Sequence, residues 1–120
     1  MAYALSKEPE GFSTKEDMEL DEEERTVFML GNLSRSQWDK FNNMISGKTG
    51  DMMALNGKAG TYVMEKALKG WSNFRYPNGD EVPWSSNIMT NLNALPAGTI
   101  NQIVLELLNR NKLNEEDEKN

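Results

Sequence analysis

The chain has no cysteine and no histidine among its 120 residues. The first absence excludes disulfides, a thiolate zinc site and a thiol nucleophile. The second removes the commonest general base, the commonest metal ligand and the side chain that titrates nearest neutral pH. No apolar run approaches the ~18 residues of a membrane span. The opening residues, MAYALSKEPEG, have no basic stretch followed by an apolar one, so no secretory signal is expected. These absences point away from catalysis and away from membranes. They leave a non-enzymatic interaction module as the expectation, with no cofactor, no metal ion and a cytoplasmic location.

Charge is present, and it is unevenly placed. The net charge is −6. Residues 1–24 hold nine acidic side chains against Lys7 and Lys15, a net −7. Residues 25–111 hold nine basic and six acidic side chains, a net +3. A nucleic-acid binder would rarely carry an acidic total, so no nucleic acid is expected as partner. Residues 1–24 lack apolar periodicity and read as an extended, flexible acidic arm. The alternative is an arm that docks on a basic partner or folds over the basic middle.

A small domain follows. Residues 25–33, RTVFMLGNL, are rich in strand formers. A lone strand needs a partner, either the 72–83 region or another subunit. Ser34-Arg35-Ser36-Gln37 is a capping box, with Leu33 as staple to Trp38. Trp38, Phe41, Met44 and Ile45 recur at helical spacing, so a helix is predicted over 35–46 with Gly47 as its stop. Residues 47–60, GKTGDMMALNGKAG, are glycine-rich. They fail the phosphate-loop pattern, because Asn42 stands where the first glycine belongs and Ala59 follows Gly57-Lys58. A mobile loop is the better reading. Thr61 reads as the cap of a helix over 62–69, with Val63, Met64, Ala67 and Leu68 on one side. Glu65 and Lys69 would form an i,i+4 pair, and Gly70 would end the helix with Trp71 packed back on it.

Residues 70–84, GWSNFRYPNGDEVPW, place four aromatics around Pro77-Asn78-Gly79. Proline and Asn-Gly are turn chemistry. An irregular hairpin gathering Phe74, Tyr76, Val82 and Trp84 would help close a core poor in aliphatics. Asp80 and Glu81 lack the alternating ligands of a calcium loop and a partner for acid–base work. Ser85 or Ser86 would cap a short helix carrying Ile88, Met89 and Leu92, broken at Leu95-Pro96. A last helix over 97–111 carries Ile100, Ile103, Val104, Leu107 and Leu108 as its apolar stripe. That stripe reads as a core face or as a partner-binding face. The face of Trp38, Phe41 and Met44 is open to the same two readings. Eight methionines add adaptable apolar surface. The fold class expected is mainly α with a minor β element, an α+β single domain over 25–113 between the acidic arm and a charged, frayed tail at 114–120.

The order of these features resembles small bacteriophage tail assembly chaperones. It comprises TVFMLGNLSRSQWDKF, a glycine-rich loop, a helix ending in GWSNFRYPNGDEVPW, then LPAGTINQIVLELLNRNKL and EEDEKN. The similarity is one of pattern over roughly residues 25–120. It implies a protein that coats the phage tape measure protein, keeps it soluble and recruits tail tube protein, working in the host cytoplasm and absent from the finished virion. A homo-oligomer is compatible with that role. The resemblance also implies a second reading frame: Glu118-Lys119-Asn120 can be written GAA AAA AAC, on which a ribosome could slip back one nucleotide. Two alternatives stay open, a minor virion structural protein (head–tail connector or tail completion subunit) and a small phage inhibitor of a host enzyme.

Overall fold

The computed structural model describes residues 8–45 and 57–119, with Ile45 and 111–119 by backbone alone. Its elements are β1 (Glu10–Phe12), β2 (Val27–Leu30), α1 (Arg35–Ile45), α2 (Lys58–Ala67), β3 (Leu68–Ser72), α3 (Ile88–Asn93) and α4 (Ala97–Lys119). The three strands form one antiparallel sheet in the order β1-β2-β3. α2 packs against α1, α3 and α4. The chain is therefore an α+β single domain, as its sequence pattern predicts.

β2 is the centre of the sheet. Its alternate residues Phe28 and Leu30 are buried while Val27 and Met29 are partly covered, the period-two signature of a half-buried strand. On one side it pairs with β3, Val27 opposite Ser72 and Leu30 opposite Leu68, with an irregularity at Met29/Leu30. On the other it pairs with β1, Phe12 opposite Phe28 and Glu10 opposite Leu30. So both partners come from within the chain. β3 only grazes the predicted 72–83 region, and the second partner lies inside the supposed arm.

That arm, read as residues 1–24, carries regular structure from Glu10 to Glu24. Besides β1 it contains two 3₁₀ turns, Asp17–Glu19 and Glu22–Glu24. Ser13 Oγ donates to Thr26 O at 2.8 Å, and Thr26 N donates to Asp17 Oδ2 at 3.0 Å. Lys15 N donates to Gln102 Oε1 at 2.9 Å, tying the segment to α4. The pairing depends on Gly11, because a Cβ there would stand 2.8 Å from Val27 Cγ1. Residues 1–7 lie outside the described part.

The helices follow the sequence signals in part. The capping box at α1 is present: Ser34 N donates to Gln37 Oε1 at 2.8 Å, and Gln37 N to Ser34 Oγ at 3.3 Å. The proposed stop at Gly47 and most of the glycine-rich loop lie outside the described residues. α2 begins at Lys58, three residues before Thr61, with Gly57 as N-cap. It ends at Ala67 because Leu68 turns extended and joins β3. Pairing with β2 thus overrides the helical pattern through Leu68. Lys69, Gly70 and Trp71 are strand residues, so Glu65 and Lys69 share no helix face. At α3 the cap is Asn87, whose side chain accepts from Met89 N at 3.1 Å, and not Ser85 or Ser86. The α4 backbone stays helical through Lys119, past the predicted end near 111.

One core fills the space between sheet and helices. It joins Phe28, Leu30 and Leu68 of the sheet to Trp38 and Phe41 of α1, Val63 and Met64 of α2, and Ile103, Val104 and Leu107 of α4. Among the described residues, the buried Asn91 side chain pairs with the backbone of a single residue. Asn91 Oδ1 accepts from Ser85 N at 2.8 Å, and Asn91 Nδ2 donates to Ser85 O at 2.9 Å.

Candidate functional site

The eight residues that sequence reasoning offered for partner binding are core residues in whole or part. Ile103, Val104, Leu107, Trp38 and Phe41 are buried. Ile100, Leu108 and Met44 are partly buried against the same cluster. A small domain needs its strongest stripe for its own interior, and α2 covers this one. In the single folded chain these side chains are turned to the core.

Among the described residues, the large apolar side chains left exposed are Met18, Leu20, Tyr76, Trp84, Met89 and Leu105. Tyr76 and Trp84 belong to the aromatic stretch quoted above, which folds as an irregular hairpin. Val82 N donates to Phe74 O at 2.8 Å and Tyr76 N to Asp80 O at 2.9 Å. Gly79 N closes the tip on Tyr76 O at 2.9 Å. Gly79 has φ +94°, the left-handed residue that such a three-residue tip requires. Arg75 crosses the hairpin, with Nη1 on Gly79 O at 2.9 Å, Nη2 on Glu81 Oε1 at 3.3 Å and Nε on Asn73 Oδ1 at 2.9 Å. The predicted turn chemistry is therefore met, and the tip carries its own frame.

A graded row of rings connects this hairpin to the core. Phe28, buried, meets Trp71 and Phe74 edge-on at 6.4 and 5.5 Å. Trp71 and Phe74 are 4.9 Å apart, and Trp71 meets Trp84 at 4.8 Å and 87°. The Trp71 indole N–H donates to Val82 O at 2.9 Å. Trp71 is thus partly buried and held by three rings and one hydrogen bond. Trp84, 39% exposed, is a surface ring fixed by a ring beneath it. An exposed aromatic that is already immobilised loses little freedom on binding.

The hairpin base abuts the acidic turns. Thr26 Oγ1 donates to Asn73 O at 2.8 Å, and Asn73 Nδ2 donates to Arg25 O at 3.3 Å. Glu19, Asp21, Glu22, Glu23 and Glu24 are exposed around Met18 and Leu20. Glu16 accepts from Gln102 Nε2 at 3.0 Å, and that hydrogen bond holds its carboxyl below the ordinary range. The signal for this surface was readable: Met18 and Leu20 stand inside the acid block, outside any apolar period.

Among the described residues, no group of three or more aspartate or glutamate side chains is placed to hold a metal ion. No described helix is long and apolar enough to cross a membrane. No protein family, curated protein or solved structure matches the chain.

Proposed function

We propose that this protein is a phage morphogenesis factor of the tail assembly chaperone kind. It holds the tape measure protein in the host cytoplasm and helps recruit tail tube subunits. The observation that supports this reading is that Tyr76, Trp84 and Met89, with Met18 and Leu20 of the acidic turns, are exposed apolar side chains. A helical, apolar client offers aliphatic ridges. A fixed indole and flexible methionines can meet many such ridges weakly, and the surrounding charge keeps the complex dispersed. Repetition of weak contacts along a long client then gives a stable coat.

Co-expression with a tape measure fragment tests the proposal. Wild-type protein keeps the fragment in the supernatant. The triple substitution Tyr76→Ser, Trp84→Ser, Met89→Ser removes that effect and leaves the unfolding free energy within about 1 kcal/mol, as exposed positions should. A fragment that stays insoluble beside wild-type protein defeats the reading. Recovery of the protein from purified virions would instead favour a connector or tail completion subunit.

A further inference from the structure

Asparagine followed by glycine exposes its side-chain amide to attack by the next backbone nitrogen, because glycine puts no Cβ in the way. The chain has two such pairs, Asn56-Gly57 and Asn78-Gly79. Asn56 lies outside the described residues. Asn78 and Gly79 form the tip of the hairpin, and both are exposed. A Cβ placed on Gly79 would meet no atom within 4 Å, so solvent has free access to that peptide. The other described asparagines lack this opening. Asn32, Asn73 and Asn87 precede Leu33, Phe74 and Ile88, whose side chains crowd the approach. The rest lie in helices, which hold the backbone away from the geometry of attack.

The fold both prepares this reaction and restrains it. Asn78 Oδ1 accepts from Asp80 N at 2.9 Å, so the side chain bends forward over the Gly79 peptide between them. The same N–H polarises the amide carbonyl and stays in place as the oxygen gains negative charge. Asn78 Nδ2, the leaving nitrogen, donates to Asp80 Oδ2 at 3.2 Å. The restraint lies on the nucleophile. Gly79 N donates to Tyr76 O at 2.9 Å, and Arg75 Nη1 holds Gly79 O at 2.9 Å. Gly79 N attacks only when the tip opens and its N–H leaves Tyr76 O. The bond from Asp80 N to Asn78 spans residues 78–80 alone and does not depend on that contact.

We propose that Asn78 is a self-modification site, deamidating at a rate set by the hold of Arg75 on the hairpin tip. With the tip open, Gly79 N bonds to Asn78 Cγ and gives up its proton. The Cγ–Nδ2 bond breaks, and the nitrogen leaves as ammonia with that proton. A five-membered succinimide remains, and water opens it. Opening at Cγ leaves aspartate. Opening at the main-chain carbonyl of residue 78 leaves isoaspartate, with the main chain routed through the side chain. Water is the only co-reactant, and nothing is oxidised or reduced. Aspartate adds a carboxylate beside Asp80 and Glu81. Isoaspartate adds one methylene to the main chain between Tyr76 and Asp80, so their N–H to carbonyl bond loses its register. The chemistry is independent of what Tyr76 and Trp84 bind.

Peptide mapping by mass spectrometry tests this on the full chain, aged in warm, mildly alkaline buffer. Asn78 converts in the folded wild-type protein, read as the mass gained when the amide becomes an acid. An isoaspartyl methyltransferase labels the same peptide. Arg75→Ala speeds conversion of Asn78 roughly threefold to tenfold, the bias that one hydrogen bond supplies. It leaves Asn56, the internal reference, unchanged. Ile103→Val weakens the core away from the tip and leaves the Asn78 rate unchanged, because local opening and not global unfolding admits the attack. Circular dichroism checks the fold, and Glu81→Ala, which frees Arg75 Nη2, serves if Arg75→Ala unfolds the chain. Asn78 that stays intact over a period in which the urea-unfolded chain converts overturns the proposal. So does a rate that ignores the loosened tip, an acceleration shared equally by Asn56, or one that Ile103→Val reproduces.

Discussion

Replacing Trp71 by alanine would empty the junction between hairpin and core. The indole meets Phe28, Phe74 and Trp84 edge-on and donates to Val82 O. Full burial of a tryptophan would make the truncation cost about 3–5 kcal/mol. Trp71 is only partly buried, which brings the transfer part to roughly half that. The lost hydrogen bond adds about 1 kcal/mol, and the edge-on pairs add about 0.5 kcal/mol each at the low end of their range. A total of about 4.5 kcal/mol follows, or roughly 18 °C in midpoint for a chain of this size. Trp71→Phe keeps the ring stack and loses the N–H, so it should cost about 1 kcal/mol. Urea unfolding followed by circular dichroism gives both numbers without relying on Trp38 and Trp84 fluorescence. If Trp71→Ala costs under ~0.5 kcal/mol, the ring row does not connect the hairpin to the core. If Trp71→Phe costs as much as alanine, the Val82 bond and not the rings holds the junction.

Asn91→Ala leaves the Ser85 N–H and carbonyl without their side-chain partner, and thermal unfolding should register a loss of about 3 kcal/mol. Gly79→Ala forces a side chain into φ +94°, where about 1 kcal/mol of destabilisation is expected in chemical denaturation. The Glu16–Gln102 bond predicts a specific acid sensitivity. Because the folded pKa of Glu16 lies below its ordinary value of 4.5, the carboxylate favours the folded state above that pH. The contribution fades as pH falls through the lowered value. Gln102→Ala, which removes the Glu16 bond and the acceptor of the Lys15 N–H, should lower stability at neutral pH and flatten the acid limb of the stability-against-pH curve; an unaltered acid limb contradicts it.

How much of this could be read in advance depended on whether the signal was local. The capping box at Ser34 and Gln37, the Pro77-Asn78-Gly79 tip and the α4 stripe depend on residues within a turn or two of each other, and all three stand as the pattern suggests. β1 does not. Its Glu10 and Gly11 are poor strand formers, and the segment is a strand because the edge of β2 and the narrow space over Val27 admit a glycine. The early end of α2 has the same cause, since Leu68 fits the helical stripe and the β2 edge equally, and the sheet takes it. The use of the apolar stripes was illegible for a related reason. A stripe such as Ile103, Val104 and Leu107 says that a face is apolar but not what covers it. The exposed residues that replace it, Tyr76 and Trp84, sit in a stretch whose aromatics divide between core and surface only once Trp71 is placed.

The central position of β2 has a consequence for synthesis on the ribosome. Its core partner β3 starts at Leu68, and the buried residues of α4 come later still. At about 5–20 residues per second, the stretch from Leu30 to Leu68 takes roughly two to eight seconds to make. During that interval Phe28 and Leu30 have emerged with only the short β1 beside them. An unpaired apolar strand on neighbouring nascent chains is a template for aggregation. The carboxylates of Asp17–Glu24 leave the exit just ahead of it, and their mutual repulsion keeps adjacent chains of one polysome apart. The acidic turns thus act as gatekeepers for a strand that must wait for its partner.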